Sequence, residues 1–190
     1  GEGFAKGEGA TYDVTGTITN VGEKANTFTY KLNEGTKVSN YVIETAEGTL
    51  KVTPVTDEVV VNVKENSGKE KYDGTEKTVE GYKVTNISNN LYKEADIKFN
   101  GNAKVSGTDA GTYDMDVKAT DFENTSKNFS KVKFVVEDGQ LIIEKRNVTL
   151  TSADDENVYD GKALTNDKVT VGGEGFAKGE GATYDVTGTI

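Results

Sequence analysis

The first eighteen residues return, letter for letter, as the last eighteen. Gly1 to Ile18 reads GEGFAKGEGATYDVTGTI, and Gly173 to Ile190 repeats it at an offset of 172 residues. Chance does not produce such a match, so the sequence is expected to be a window on a periodic polymer. Repeat arrays stack like units and are selected for reach, stiffness and spacing more often than for chemistry.

A weaker repeat lies inside the period. Tyr72-Asp73-Gly74 recurs as Tyr159-Asp160-Gly161, 87 residues later and close to half of 172. Asn40-Tyr41 aligns with Asn128-Phe129, and each pair is expected to precede a strand. Gly48-Thr49-Leu50-Lys51-Val52 aligns with Gly139-Gln140-Leu141-Ile142-Ile143. Two related modules of about 86 residues therefore alternate. On this division 57–146 is a complete module of the second type. Residues 1–56 are the C-terminal part of a first-type module whose first strands are missing, and 147–190 are the N-terminal part of its next copy. Both junctions are tight: one runs from Thr53 to Asp57 through Pro54, the other from Glu144 to Asn147. Such short joints restrict hinge motion and predict an extended rod. A module opened in this way exposes its core and an unpaired edge. Residues 1–56 are then completed either by polypeptide continuing upstream or, in trans, by the C-terminal part of another copy.

Alternation of apolar and polar residues predicts strands throughout. Phe28, Tyr30 and Leu32 share a face, as do Val59, Val61 and Val63, and Leu50 with Val52. Asp96–Phe99 and Tyr113–Ala119 read likewise. Lys131–Val136 and Gln140–Ile143 flank Asp138-Gly139, a strong hairpin signal. Only 90–96 (NLYKEAD) and Phe4-Ala5-Lys6 suggest a helical turn. The hydrophobic fraction is 34%, led by valine, and the single proline leaves strands uninterrupted. The class predicted is all-β.

Composition removes most chemistry. The net charge of −10 opposes binding to nucleic acid and to anionic membrane surfaces. No run of 18 apolar residues is present, so no membrane insertion is expected. Neither cysteine nor histidine occurs, which excludes thiol nucleophiles, disulfides and the commonest general base. The chain is read as no enzyme, without catalytic or cofactor-binding residues. The acidic run Asp154-Asp155-Glu156, with Asp160 nearby, offers hard oxygen ligands for calcium. It lacks the spacing of any defined calcium loop, and a solvated acidic loop is the simpler reading. In both Tyr-Asp-Gly triplets Asp-Gly supplies a turn with a residue at positive φ, a structural role more than a ligand-contacting one.

These motifs resemble bacterial surface-protein repeats of the YDG and MBG type found in large adhesins. The features that carry the likeness are Tyr-Asp-Gly after the first strand, Gly3-Phe4-Ala5-Lys6-Gly7-Glu8, and the strand opening Asp109-Ala110-Gly111-Thr112-Tyr113. The module at 57–146 departs from the pattern with Asn89-Asn90-Leu91-Tyr92-Lys93 in place of Gly-Phe-Ala-Lys. The resemblance implies tandem modules with an immunoglobulin-like sandwich fold or, alternatively, a β-grasp. It implies an extracellular location at the bacterial cell surface or wall. Asp109, Gly111 and Tyr113 also look like the tyrosine corner of immunoglobulin folds. The role expected is a structural stalk whose partners are neighbouring copies of the repeat. The alternatives are a multivalent module binding mucin or another host glycan, and a self-assembling filament subunit.

Overall fold

The computed structural model describes residues 2–188. Gly1, Thr189 and Ile190, which belong to the two copies of the duplicated segment, lie outside the described residues. The protein is all-β. Apart from strands there are three single-turn 3-10 helices, at Val38–Asn40, Glu94–Asp96 and Ala119–Asp121, and no α-helix among the described residues.

Four strands precede Pro54: β1 (Ala10–Val14), β2 (Gly22–Asn26), β3 (Phe28–Leu32) and β4 (Gly48–Val52). Ten lie between Val59 and Glu144. The first five are β5 (Val59–Glu65), β6 (Gly68–Lys71), β7 (Lys77–Glu80), β8 (Tyr82–Ile87) and β9 (Ile97–Phe99). The next five are β10 (Lys104–Gly107), β11 (Gly111–Asp114), β12 (Phe122–Asn124), β13 (Val132–Glu137) and β14 (Gln140–Glu144). β15 (Val148–Ser152) and β16 (Val169–Gly173) follow. Two sheets have three strands, in the orders β13-β5-β8 and β11-β14-β6; β1-β3, β2-β4, β7-β10, β9-β12 and β15-β16 are two-stranded.

The chain divides into two compact units. The first holds 2–59, Asn89–Lys98 and Asn124–Lys133. In it β1 and β3 are antiparallel, with Tyr12 opposite Tyr30 and Val14 opposite Phe28. Directly opposed residues share a face, so Ala10, Tyr12, Val14, Phe28, Tyr30 and Leu32 form one apolar surface. β2 and β4 pair through Lys24–Leu50, and Lys51 meets Glu23 at 2.6 Å in solvent, a contact worth about 0.2–1 kcal/mol. Beyond Pro54 the backbone runs beside 128–130: the Val55 N–H donates to Asn128 O (2.9 Å) and the Ser130 N–H to Val55 O (3.0 Å).

The stretch 90–96 forms less helix than its sequence suggests. Asn90 and Leu91 make a separate turn, closed by the Tyr92 N–H donating to Asn89 O (3.2 Å), and only Glu94–Asp96 is helical; between the two, Tyr92 is buried edge-on against Phe129 at 5.1 Å. Phe4-Ala5-Lys6 likewise makes no helix; Gly7 at φ +87° closes a turn in which the Glu8 N–H donates to Ala5 O. Phe4 and Tyr41 also meet at 5.1 Å. Asn128-Phe129 leads into β13, but Asn40-Tyr41 leads into 41–47, which contains no strand. The difference is one of partners: β13 pairs with β5, and among the described residues no strand pairs with 41–47.

The second unit holds Val60–Ser88, Phe99–Glu123 and 134–188. Its core is built from Val61 and Val63 of β5, Leu141 and Ile143 of β14, and Met115 and Val117, all buried. Each such side chain contributes about 1.5–3 kcal/mol on burial. Tyr82, Phe99, Phe122 and Phe134 form an aromatic cluster with centroid separations of 4.8–5.4 Å.

Two strand expectations are corrected here. The strand expected over Tyr113–Ala119 ends at Asp114. Met115 N–H still reaches Gly139 O (3.0 Å), but the Val117 N–H turns inward to Glu65. Asp138-Gly139 is not a hairpin. β13 and β14 belong to different sheets, and the chain crosses from one to the other at Gly139. A Cβ there would lie 2.3 Å from Asn66 O, so glycine serves close backbone approach and not a left-handed turn.

Candidate functional site

The duplicated segment is its own control, because the same residues sit in two surroundings. In both copies Phe-Ala-Lys-Gly-Glu folds into the same turn. Glu8 N–H donates to Ala5 O at 2.9 Å and Glu180 N–H to Ala177 O at 3.0 Å, with Gly7 at φ +87° and Gly179 at +89°. Local sequence therefore fixes the turn. Its glutamate then meets a tyrosine in each case: the Tyr41 hydroxyl donates to Glu8, and the Tyr72 hydroxyl donates to Glu180.

The second of these contacts belongs to a built joint within the second unit. Tyr72, Ala110, Lys145, Arg146, Val148, Phe176, Ala177 and Glu180 line a shallow cleft of about 240 Å³. Arg146, the only arginine in the sequence, donates from Nε to Gly175 O (2.7 Å) and from Nη2 to Glu174 O (2.5 Å). The Glu174 carboxylate accepts the Asn147 N–H at 2.8 Å and lies 3.5 Å from Lys71 Nζ. That backbone bond first, and Lys71 beside it, hold its pKa below the ordinary value. The hydrogen bond to Glu180 holds the Tyr72 phenol above its own. Gly175 at φ +67° presents its carbonyl to Arg146. The guanidinium fork suits two neighbouring carbonyls, which lysine could not match.

Both Tyr-Asp-Gly motifs form the same Asx turn. Asp73 Oδ1 accepts the Thr75 N–H (2.9 Å), and Asp160 Oδ1 accepts the Lys162 N–H (3.0 Å); Gly74 and Gly161 lie at φ +80° and +75°. Asp73 is held more strongly. Lys77 Nζ and the Thr75 hydroxyl each donate to it at 2.6 Å, and these bonds put its carboxyl well below the usual carboxylate range. The tyrosines part company: Tyr72 is half-buried at the joint, while Tyr159 is 94% exposed.

The Tyr113 hydroxyl donates to Asp109 O at 2.9 Å, four residues upstream, and its ring lies over Gly107, where a Cβ would come within 2.4 Å. Gly111 opens the strand that carries it. A second joint, in the first unit, brings Val21, Val55, Leu91, Asn128 and Phe129 around a cleft of about 340 Å³. There Asn128 Oδ1 accepts the Val21 N–H at 2.8 Å.

The calcium candidates are not brought together. Asp155 accepts the Glu156 N–H, Asp160 holds its own turn, and among the described residues no group of three acidic side chains converges on one point. Sequence reasoning missed Arg146, Glu174 and Glu180. The signal available was a lone arginine in the stretch expected to join two modules, before a segment that the chain repeats. Compared with family models, curated proteins and solved structures, the chain matches none.

Proposed function

We propose that this chain is part of a structural stalk: tandem β-modules, of immunoglobulin-like sandwich type, that space a terminal domain from a bacterial surface. The observation that supports this most is the joint at Tyr72, Arg146 and Glu180. A module linker needs only covalent continuity, yet here one arginine, one lysine and one tyrosine tie the backbone and carboxylates of the segment that follows. Such ties resist bending, which a spacer requires and a flexible tether does not. The Tyr113–Asp109 bond favours the sandwich, as does the lack of an α-helix among the described residues, the element a β-grasp lays across its sheet. The likeness of the repeats to YDG and MBG modules of adhesins supports the extracellular setting, with neighbouring repeats as partners.

Small-angle scattering of polypeptides with one, two and three 172-residue periods tests this reading. A stalk gives a maximum dimension that grows linearly with repeat number; a dimension growing as its square root sinks it. The second reading, multivalent binding of mucin or another glycan, draws on the exposed Tyr159, whose ring is free to stack on a sugar. Binding on a glycan array that Tyr159→Ala abolishes would establish it.

A further inference from the structure

Residues 57–146 begin and finish on segments that lie side by side and run in the same direction. In the second unit β6 is parallel to β14, with Gly68, Lys69, Glu70 and Lys71 opposite Leu141, Ile142, Ile143 and Glu144. The Tyr72 N–H carries this ladder one step on, donating to Glu144 O at 2.9 Å. Just before it, the Glu65 carboxylate accepts the Gly139 N–H and the Ser67 hydroxyl accepts the Gln140 N–H at 3.2 Å. Lys64 meets Glu137 earlier still. Partner numbers rise together, from 64 with 137 to 72 with 144. The ties therefore continue through the point where both segments change sheet. The first unit shows the same polarity: Val55 and Phe129 form a parallel bridge, and the Val59 N–H donates to Lys131 O at 3.0 Å.

Parallel pairing of entry with exit decides how tension acts. A pull along the chain enters near Asp57 and leaves just beyond Glu144. It draws β6 toward its N-terminal end and β14 toward its C-terminal end. For parallel neighbours these directions lie along the strands and oppose each other, so the ladder is sheared. The bonds of a parallel ladder are evenly spaced, and in shear they stretch together before any one breaks. Strands drawn apart from one end lose their bonds one at a time. Forced unfolding is governed by the unfolding rate, and a barrier that breaks several bonds at once is crossed more slowly. Leu141 and Ile143, both buried, seat β14 in the core, and β6 is the edge strand that would have to slide.

We propose that the β6-β14 ladder, continued by the Glu65–Gly139 and Ser67–Gln140 bonds, is a force-bearing clamp that keeps 57–146 folded under tension along the chain. Its role rests on the stalk reading, since a spacer transmits whatever pulls on the domain it carries. The clamp itself lies wholly inside 57–146 and involves neither the duplicated segment nor a second copy.

Single-molecule force spectroscopy on the full 190-residue chain tests it. The sequence has no cysteine, so an introduced pair defines the attachment points uniquely. Asp57→Cys with Lys145→Cys loads the ladder in shear, whereas Glu76→Cys with Lys145→Cys draws the neighbouring ends of β6 and β14 apart. The expected result is a higher rupture force for the first pair at equal loading rate. The Tyr72 N–H faces β14, so alternation turns the Glu70 N–H toward β14 and the Lys69 N–H away from it. Glu70→Pro should therefore lower the shear rupture force, while Lys69→Pro, on the solvent side of an edge strand, should leave it near the wild-type value. Equal rupture forces in the two directions, or equal losses in the two proline variants, overturn the proposal. Should Glu70→Pro fail to fold, the two pulling directions on the otherwise unchanged chain decide. Direction dependence without rod-like scattering removes the stalk reading alone; rod-like scattering without direction dependence removes the clamp alone.

Discussion

The Glu65 carboxylate accepts the backbone N–H of Gly139, and that contact is where the chain passes from one three-stranded sheet to the other. Glu65 is 1% exposed, and its second oxygen accepts the Val117 N–H at 2.7 Å. Two backbone donors that strand pairing leaves orphaned are thus satisfied by one side chain.

Removing that carboxylate should cost heavily. Glu65→Ala leaves two buried N–H groups without acceptors, each worth about 1–3 kcal/mol, and Glu65→Gln keeps only one acceptor oxygen and turns an NH2 toward a donor. Gly139→Ala should also destabilise, because its Cβ would meet Asn66 O at 2.3 Å and Glu65 Cβ at 2.7 Å. Urea unfolding followed by tyrosine fluorescence should show a lower midpoint for all three, with Glu65→Ala lower than Glu65→Gln. A midpoint for Glu65→Ala equal to the wild type would refute this role.

Asp73 should stay ionised to unusually low pH. Its folded-state pKa is depressed by the bonds from Lys77 and Thr75, so the stability it gives is present above the unfolded carboxylate value and is lost as pH falls through the folded one. Carboxyl-detected NMR should find Asp73 titrating below the ordinary aspartate range. In Lys77→Met, which loses the first of those bonds, the midpoint should move back up.

Tyr92 works in the opposite direction. Burial, with the Asp96 charge adding to it, pushes its phenol up to about 12, so the neutral form is favoured in the folded state. Stability from this group is complete below the unfolded value near 10 and is lost as pH rises toward the folded one. Thermal melts should fall across pH 10 to 12, and Tyr92→Phe should flatten that fall. The variant still loses the Tyr92 hydrogen bond to Asp96 O at 3.2 Å, so its melting temperature at pH 7 should be slightly lower.

Much of the strand layout was legible because alternation in β3, β4 and β5 is a local property of the chain. The turns in both Tyr-Asp-Gly motifs were legible for the same reason: an aspartate capping its own backbone two residues on, followed by a glycine, requires nothing distant. What was not legible was long-range. Asp138-Gly139 carries a hairpin signature, yet the preference of two residues for a tight turn yields to Glu65, 74 positions away. The segment 41–47 carries apolar residues fit for a strand, but a strand needs a partner. Arg146 and Glu180 were invisible as a site because their partners are backbone carbonyls and a phenol, none of which leaves a pattern in the sequence.

The joint itself gives the last expectation. Arg146→Lys keeps the charge but cannot span Gly175 O and Glu174 O together, so it should behave almost as Arg146→Ala does. In either variant, amide exchange over 174–180 should speed up while that of the buried β5 and β14 stays at its wild-type rate, since the ties lie outside the core. Tyr72→Phe removes only the solvent-exposed bond to Glu180 and should accelerate exchange less than the arginine changes do. Equal acceleration in β5 and β14 would mean that Arg146 supports the whole unit and not the joint. Unchanged exchange over 174–180 would mean that the segment is held by Phe176 and Ala177 in the cleft, with the polar ties contributing little.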